Sequence, residues 1–312
     1  MLRAPRLFRY ALLSLCFFLA PRLFAEQPVE VKKVPATKFI RVQRDGNKEP
    51  TALDTSIVRY VPAQGDGKLV VDLIGVVHVG ERDYYEKLNK HFEQYDVLLY
   101  ELVAPQGTRV PKGGKRNSDN PLSMVQGMMQ SMLGLESQLE HIDYTKKNFV
   151  HADLSPDEMK EAMKARGENV LTVTLGVITD MLKQQNLQEN KKDQNPHQND
   201  LDPLALLVDP DASTKLKKMM ALQMEDLESG TSGLGQTLNT ILIADRNKAA
   251  MKVFQKELAA GKKKVGIFYG AAHMPDFEKR LRDDFGLKRD SEQWLTAWDM
   301  TKKNNRGNPL ED

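Results

Sequence analysis

Two short runs of the chain end on a histidine, Gly75-Val76-Val77-His78 and Gly270-Ala271-Ala272-His273. Each follows an apolar run and precedes residues with helical spacing, so each imidazole falls between a strand and a helix. An imidazole there can serve as metal ligand, general base or haem ligand, and residue type alone does not separate these roles. A single histidine at a strand end is most often a hydrogen-bonded structural residue. The repeat of spacing and context is what singles out His78 and His273. Glu101 stands among apolar neighbours in Leu98-Leu99-Tyr100-Glu101-Leu102-Val103, where an unpaired carboxylate is costly and calls for a metal or another cation. Arg246 interrupts an apolar stripe of Leu238, Leu242, Ala249 and Val253. Its plain reading is a salt bridge to Glu101 or Asp153; its chemical reading is a cation that holds a catalytic carboxylate or steadies negative charge developing on a substrate.

These groups need elements to bring them together. Leu69 to Val77 reads as a buried strand, joined by a turn at Gly65-Asp66-Gly67 to a strand over Ile57 to Val61. Tyr84, Tyr85, Leu88 and Phe92 then follow helical spacing, and Asp96 to Val103 returns to a strand. Strand, helix and strand within about thirty residues match a parallel βαβ unit, in which ligands gather at the carboxyl ends of the strands. Asn148 to Asp153 leads into Ser155-Pro156-Asp157-Glu158, with the spacing of a capping box, so Asp153 falls at a strand-to-helix junction. Val265 to Tyr269 reads as a strand, Gly270 follows, and a helix starts near Pro275. The expected fold class is α/β: a mostly parallel or mixed central sheet with flanking helices, pseudo-duplicated G-x-x-H halves and a helical insertion between them. The domain spans 38–300 and the insertion about 105–240. Within it, Leu122 to Leu139 reads as a methionine-rich amphipathic helix, either core packing or an adaptable groove or lid for an extended substrate. Residues 183–202 read as a polar mobile loop, and 301–312 as a polar tail.

Of the 312 residues 40% are hydrophobic and 28% charged, which suffices for a sizeable core and excludes a disordered chain. Residues 1–25 read as a secretory signal: arginines at 3, 6 and 9, an apolar run from Ala11 to Ala20, and Leu23-Phe24-Ala25 before the expected cut. Residues 26–37 form a linker. The localisation expected is periplasmic or secreted, and an uncleaved signal would keep the chain near a membrane. The signal carries four arginines and no acid, so its removal takes the formal charge from +2 to −2 and leaves no nucleic-acid reading. It also carries the one cysteine, Cys16, so the mature chain forms no disulfide.

Gly75-Val76-Val77-His78-Val79-Gly80, Tyr100-Glu101-Leu102-Val103, the run from Ile142 to Ser155, Ala244-Asp245-Arg246-Asn247, and Tyr269 to Phe277 resemble, in that order, the motif series of the TraB/PrgY/GumN group, which includes the Tiki proteins. The resemblance spans most of the mature chain, with weaker support between Pro105 and Leu139. It implies an α/β core related to erythromycin-esterase and ChaN-like proteins, and for Tiki-like members a metal-dependent peptidase acting on extracellular polypeptides. Carried over residue by residue, it makes His78, Glu101 and His273 the ligands of a divalent metal and Arg246 with Asn247 the catalytic pair beside Glu101. Gly75, Asp153 and Gly270 support them. Such a set leaves coordination positions for water and substrate, with manganese, cobalt and zinc all open. The partner implied is a polypeptide or a small ester or amide. Two other readings stand beside it: a metal-independent esterase-like hydrolase with a histidine general base, and a non-catalytic protein that binds peptide or haem.

Overall fold

The computed structural model describes residues 37–65, 68–105, 107–114, 132–167, 209, 211–228 and 243–301. The signal, residues 26–36, residues 122–131 of the methionine-rich stretch, the polar loop 183–202, Leu238, Leu242 and residues 302–312 lie outside them.

The described chain is an α/β fold around a mixed seven-stranded sheet. In chain order the elements begin with β1 (Ile40–Arg44), β2 (Pro50–Pro62), β3 (Val70–Val76), β4 (Val79–Gly80), α1 (Arg82–Phe92) and β5 (Val97–Tyr100). Next come β6 (Glu136–Ser137), α2 (Gln138–His141), β7 (Phe149–His151), α3 (Pro156–Ala165) and α4 (Ala212–Glu228). The last are α5 (Asp245–Ala259), β8 (Lys264–Gly270), a 3-10 turn (Ala271–His273), α6 (Met274–Asp283) and β9 (Leu287–Asp299). The sheet runs β1-β2-β3-β8-β5-β7, with β9 also paired to β2. Strands β3, β8, β5 and β7 are parallel to one another, and β2 is antiparallel to β1, β3 and β9.

Register decides where the chemistry falls. Val76 at the end of β3 pairs with Gly270 at the end of β8, while Tyr100 at the end of β5 pairs with Phe268 and with His151 of β7. His78, Glu101, Asp153 and Gly270 therefore leave the sheet at one edge, the carboxyl ends of four adjacent parallel strands.

Alternation along the strands feeds two cores, one on each face. Ile74, Val76, Leu98, Tyr100 and Phe268 pack with Tyr84, Tyr85, Leu88 and Phe92 of α1. Val71, Leu73, Val97, Leu99, Val265 and Ile267 pack with Met251 and Phe254 of α5 and with Met274, Phe277 and Leu281 of α6. Among the described residues no helix is long and apolar enough to cross a membrane.

Several boundaries differ from the sequence reading. The strand read over 96–103 closes at Tyr100, which puts Glu101 just beyond it in irregular backbone. The helix read over 122–139 does not reach Leu139. Gly134 takes a positive φ of 62°, and β6 and α2 follow. Arg246 lies in α5, which residues 243–244 precede in helical backbone, while Leu238 and Leu242 of the stripe lie outside the described residues. Strands β1 and β9, which the sequence reading lacked, complete the antiparallel half.

The side chains of Leu98 on β5 and of Tyr95 before it lie so close over Gly266 of β8 that it has no room for a side chain. A Cβ built there would fall inside van der Waals contact of Leu98 Cδ1 and 3.1 Å from the Tyr95 ring. Leu98 is fully buried, and the Tyr95 hydroxyl is held by Asp72. Gly266→Val is expected to destabilise the fold by about 1–3 kcal/mol through overpacking, read as a lower urea midpoint. A midpoint at or above wild type would show that the neighbours give way freely.

Candidate functional site

Arg246 links the most elements at this sheet edge. From α5 its Nε donates to Asp153 Oδ1 (3.0 Å), and its Nη2 donates to Asp153 Oδ2 (2.6 Å) and Glu101 Oε1 (2.6 Å). Of the two partners the sequence offered for this arginine, it takes both. The second oxygen of Glu101, Oε2, accepts the Gly270 backbone N–H at 2.7 Å. Burial by itself would raise the Glu101 carboxyl. The imidazoles of His273 and His78, the guanidinium and the Gly270 N–H outweigh it and hold the group at about 2. Arg246 and its two carboxylates are all buried or nearly so, and two anions against one guanidinium leave this cluster one charge negative.

Both histidines are held through Nδ1. His273 Nδ1 lies 2.6 Å from Asn247 Oδ1, and the Asn247 amide is oriented by its Nδ2, which donates to His273 O (3.0 Å) and Asp276 Oδ2 (2.9 Å). An amide oxygen only accepts, so the Nδ1 proton is on the ring and Nε2 keeps its lone pair. Burial first, then the nearby charges of Arg246 and His78, push His273 down to about 4 against the pull of Glu101 and Asp153. The ring is therefore neutral at neutral pH. Its Nε2 lies 3.4 Å from Arg246 Nη1 and 3.6 Å from Glu101 Oε1. His78, on the exposed turn after β3, repeats the pattern: its Nδ1 lies 2.9 Å from Gln138 Oε1, while Gln138 Nε2 donates to Tyr144 Oη at 2.8 Å. Its Nε2 faces the space over Gly270.

These groups face one small space. A Cβ placed on Gly270 would lie 3.3 Å from Glu101 Oε2, 3.6 Å from His78 Nε2 and 3.8 Å from His273 Cδ2, so only glycine leaves the cradle open. Gly75 serves the neighbouring turn, since a Cβ there would touch Ala271 at 3.4 Å and Ser56 O at 3.5 Å. The sequence-derived set of His78, Glu101, His273, Arg246, Asn247, Asp153, Gly75 and Gly270 thus lies in one place. The donor atoms are spaced more widely than a closed metal site, because among the described residues the trio whose ligand atoms all fall within 4.8 Å of one another is Glu136, Glu140 and His141. That trio is half-exposed on β6 and α2, and carboxylates beside a surface histidine are common without an ion. Donor type and net charge at the cradle do fit a divalent cation: two imidazoles, a carboxylate and one excess negative charge.

Gln138 was not singled out from the sequence. It fell inside the stripe read as a methionine-rich helix, and a polar residue in such a stripe gives no signal of the partner it meets in the fold. Asp245 pairs with Arg166 beyond α3 and faces away from this chemistry. His151 points its Nε2 at Leu102 O (2.5 Å) and stays outside the cradle.

Arg246→Met would strand two buried carboxylates and is expected to cost about 3–5 kcal/mol of stability. Arg246→Lys should recover part of it, because an ammonium cannot serve both oxygens of Asp153 and Glu101 with the geometry of a guanidinium. Chemical denaturation of the three proteins checks this. A methionine variant as stable as wild type would mean that water already solvates the carboxylates.

No family model matches the chain, and no curated protein or solved structure does either, so the function rests on this geometry and on the motif resemblance.

Proposed function

We propose that the chain is an exported metal-dependent hydrolase of the TraB/PrgY/GumN kind that cleaves polypeptides. One observation carries the reading: the imidazoles of His78 and His273 and the carboxylate of Glu101 border the same cradle over Gly270, in a cluster with one negative charge to spare. His78, Glu101 and His273 would hold a manganese, cobalt or zinc ion, which would supply a water of lowered pKa and polarise the scissile carbonyl. The remaining steps belong to the chain. Arg246 keeps Glu101 ionised and sets a guanidinium nitrogen 3.4 Å from His273 Nε2, within reach of negative charge developing on a substrate oxygen. Asn247 fixes the His273 ring, and the Gly270 N–H fixes Glu101.

The finer architecture of the proposal follows the same motifs. The two G-x-x-H turns end adjacent parallel strands, β3 and β8, which supports reading them as pseudo-duplicated halves with the chain from about 105 to 240 inserted between them. Export rests on residues 1–25, and an uncleaved signal would place the same site beside a membrane.

A second reading has an observation of its own. Since the donor atoms do not close to within 4.8 Å, His273 could act without a metal as a general base oriented by Asn247. Against it, a group at about 4 takes up a proton weakly at neutral pH, which suits a ligand better than a base.

The test is metal analysis of the purified protein beside Glu101→Ala, His78→Ala and His273→Ala, with a peptide-library digest of the same samples. The proposal expects a bound divalent ion that is lost in each variant. It also expects cleavage abolished by chelation, restored by added metal, and reduced in the variants beyond the roughly 10–100-fold that outer-shell changes cost. Full turnover after exhaustive chelation would move the assignment to the histidine-base hydrolase. Tight peptide or haem binding without turnover would make the chain a binding protein.

A further inference from the structure

We infer that Gln138 is a positioning residue that selects the tautomer of His78 and fixes its ring. The inference about the tautomer stands on hydrogen bonding alone; its consequence for metal binding rests on the function proposed above.

His78 lies on an exposed turn, so nothing like the packing around His273 holds its ring. In water the neutral histidine side chain favours the Nε2–H form, which offers no lone pair at Nε2. A hydrogen-bond acceptor at Nδ1 reverses that preference, and Gln138 supplies it. All four polar groups of this glutamine are engaged. Its backbone N–H donates to His78 O (3.0 Å), its carbonyl accepts from Ile142 N–H (2.9 Å), its Oε1 faces His78 Nδ1 (2.9 Å), and its Nε2 donates to Tyr144 Oη (2.8 Å). With its nitrogen on Tyr144 Oη the amide turns its oxygen toward the histidine; a phenol oxygen both donates and accepts, so the tautomer itself is what the measurement below reads.

The backbone around this pair is zipped as well. Val79 and Gly80 of β4 pair with Ser137 and Glu136 of β6, so the residues after His78 and before Gln138 form one small antiparallel bridge. Tyr144 is buried and packs its ring 5.1 Å from that of Tyr100, the residue before Glu101. Gln138 is itself only 5% exposed. A buried glutamine whose amide oxygen and nitrogen each meet a partner, one of them the histidine, is held in place by both. It is the counterpart of Asn247 on His273: each imidazole has its Nδ1 against a side-chain amide oxygen, and both rings border the cradle over Gly270.

The test uses the full chain, stripped of metal, with ¹⁵N-labelled histidine. Wild type is expected to show His78, assigned through His78→Asn, as the Nδ1–H tautomer in alkaline buffer. Gln138→Met, close in volume but without the acceptor, should shift it toward Nε2–H. Gln138→Glu, which keeps an acceptor, should restore Nδ1–H, an outcome that a purely packing role for Gln138 would not produce. Titration with Zn²⁺ or Mn²⁺ against a chromophoric chelator should show Gln138→Met binding about 10–100-fold more weakly than wild type, and Gln138→Glu at or above it. Finding His78 as Nε2–H in wild type, or unchanged spectra and affinity in Gln138→Met, would overturn the inference. If wild type binds neither ion, the metal reading falls and the spectra alone decide the role of Gln138; if Gln138→Met unfolds, Gln138→Leu supplies the variant without the acceptor, and Nε2–H in wild type still overturns the inference.

Discussion

The architecture of the site hangs on one guanidinium. Arg246 is buried in α5. The cost of burying its charge is met by the carboxylates of Glu101 and Asp153, which leave the ends of β5 and β7. The contact ties two strand ends to a helix and brings a third element, the turn bearing His273, within 3.4 Å. Buried ion pairs are rarely the cheapest route to stability, and apolar packing of similar volume often serves as well or better. What apolar packing could not supply is an ionised Glu101 beside two imidazoles. The cluster makes more sense as a device for holding charge in place than as a stabilising bridge.

The sheet supplies the second constraint. Parallel pairing of β3 with β8 sets Val76 opposite Gly270, so the two histidine-bearing turns leave the sheet side by side. The antiparallel half braces them from a distance. Strand β2, thirteen residues long, pairs with β3 on the way to His78 and with β9 near the end of the described chain. Strand β9 then reaches back to the turn after His78: Trp298 Nε1 donates to Val79 O (2.7 Å), and Glu81 N–H donates to Ala297 O (2.9 Å). Residues more than two hundred positions apart thus fix the same histidine, which is why the antiparallel strands belong to the site although none of their side chains enters it.

Much of this was legible in local pattern. Tyr84, Tyr85, Leu88 and Phe92 gave α1 its buried face, and all four are buried. Ser155 and Glu158 form the capping box their spacing announced. Strand β9 was hidden for a physical reason: at the margin of the sheet, residues 288–293 are all exposed, so the alternation that betrays a half-buried strand is missing from Lys288 to Gln293. The end of β5 was misjudged because Leu102 and Val103 extend the apolar run, whereas Glu101 leaves the ladder to meet Gly270 and Arg246. Gln138 was invisible for a deeper reason. Its burial is repaid by hydrogen bonds to residues sixty positions earlier and six later, and no periodicity in its own segment records them.

The two imidazoles reach the same arrangement by different physics. His273 is 5% exposed, lies against Tyr269 and Phe277, and is kept uncharged chiefly by burial. His78 is exposed, so its orientation depends on the amide across from it. Among the described residues the cradle is buried on the side of His273, Arg246 and Asn247 and exposed on the side of His78. Both rings meet an amide oxygen at Nδ1, and His273 alone adds tight packing. The rigid half, where α5 and α6 are anchored on the sheet, sets the charge. The half stitched by β4 and β6 brings Gln138 against His78.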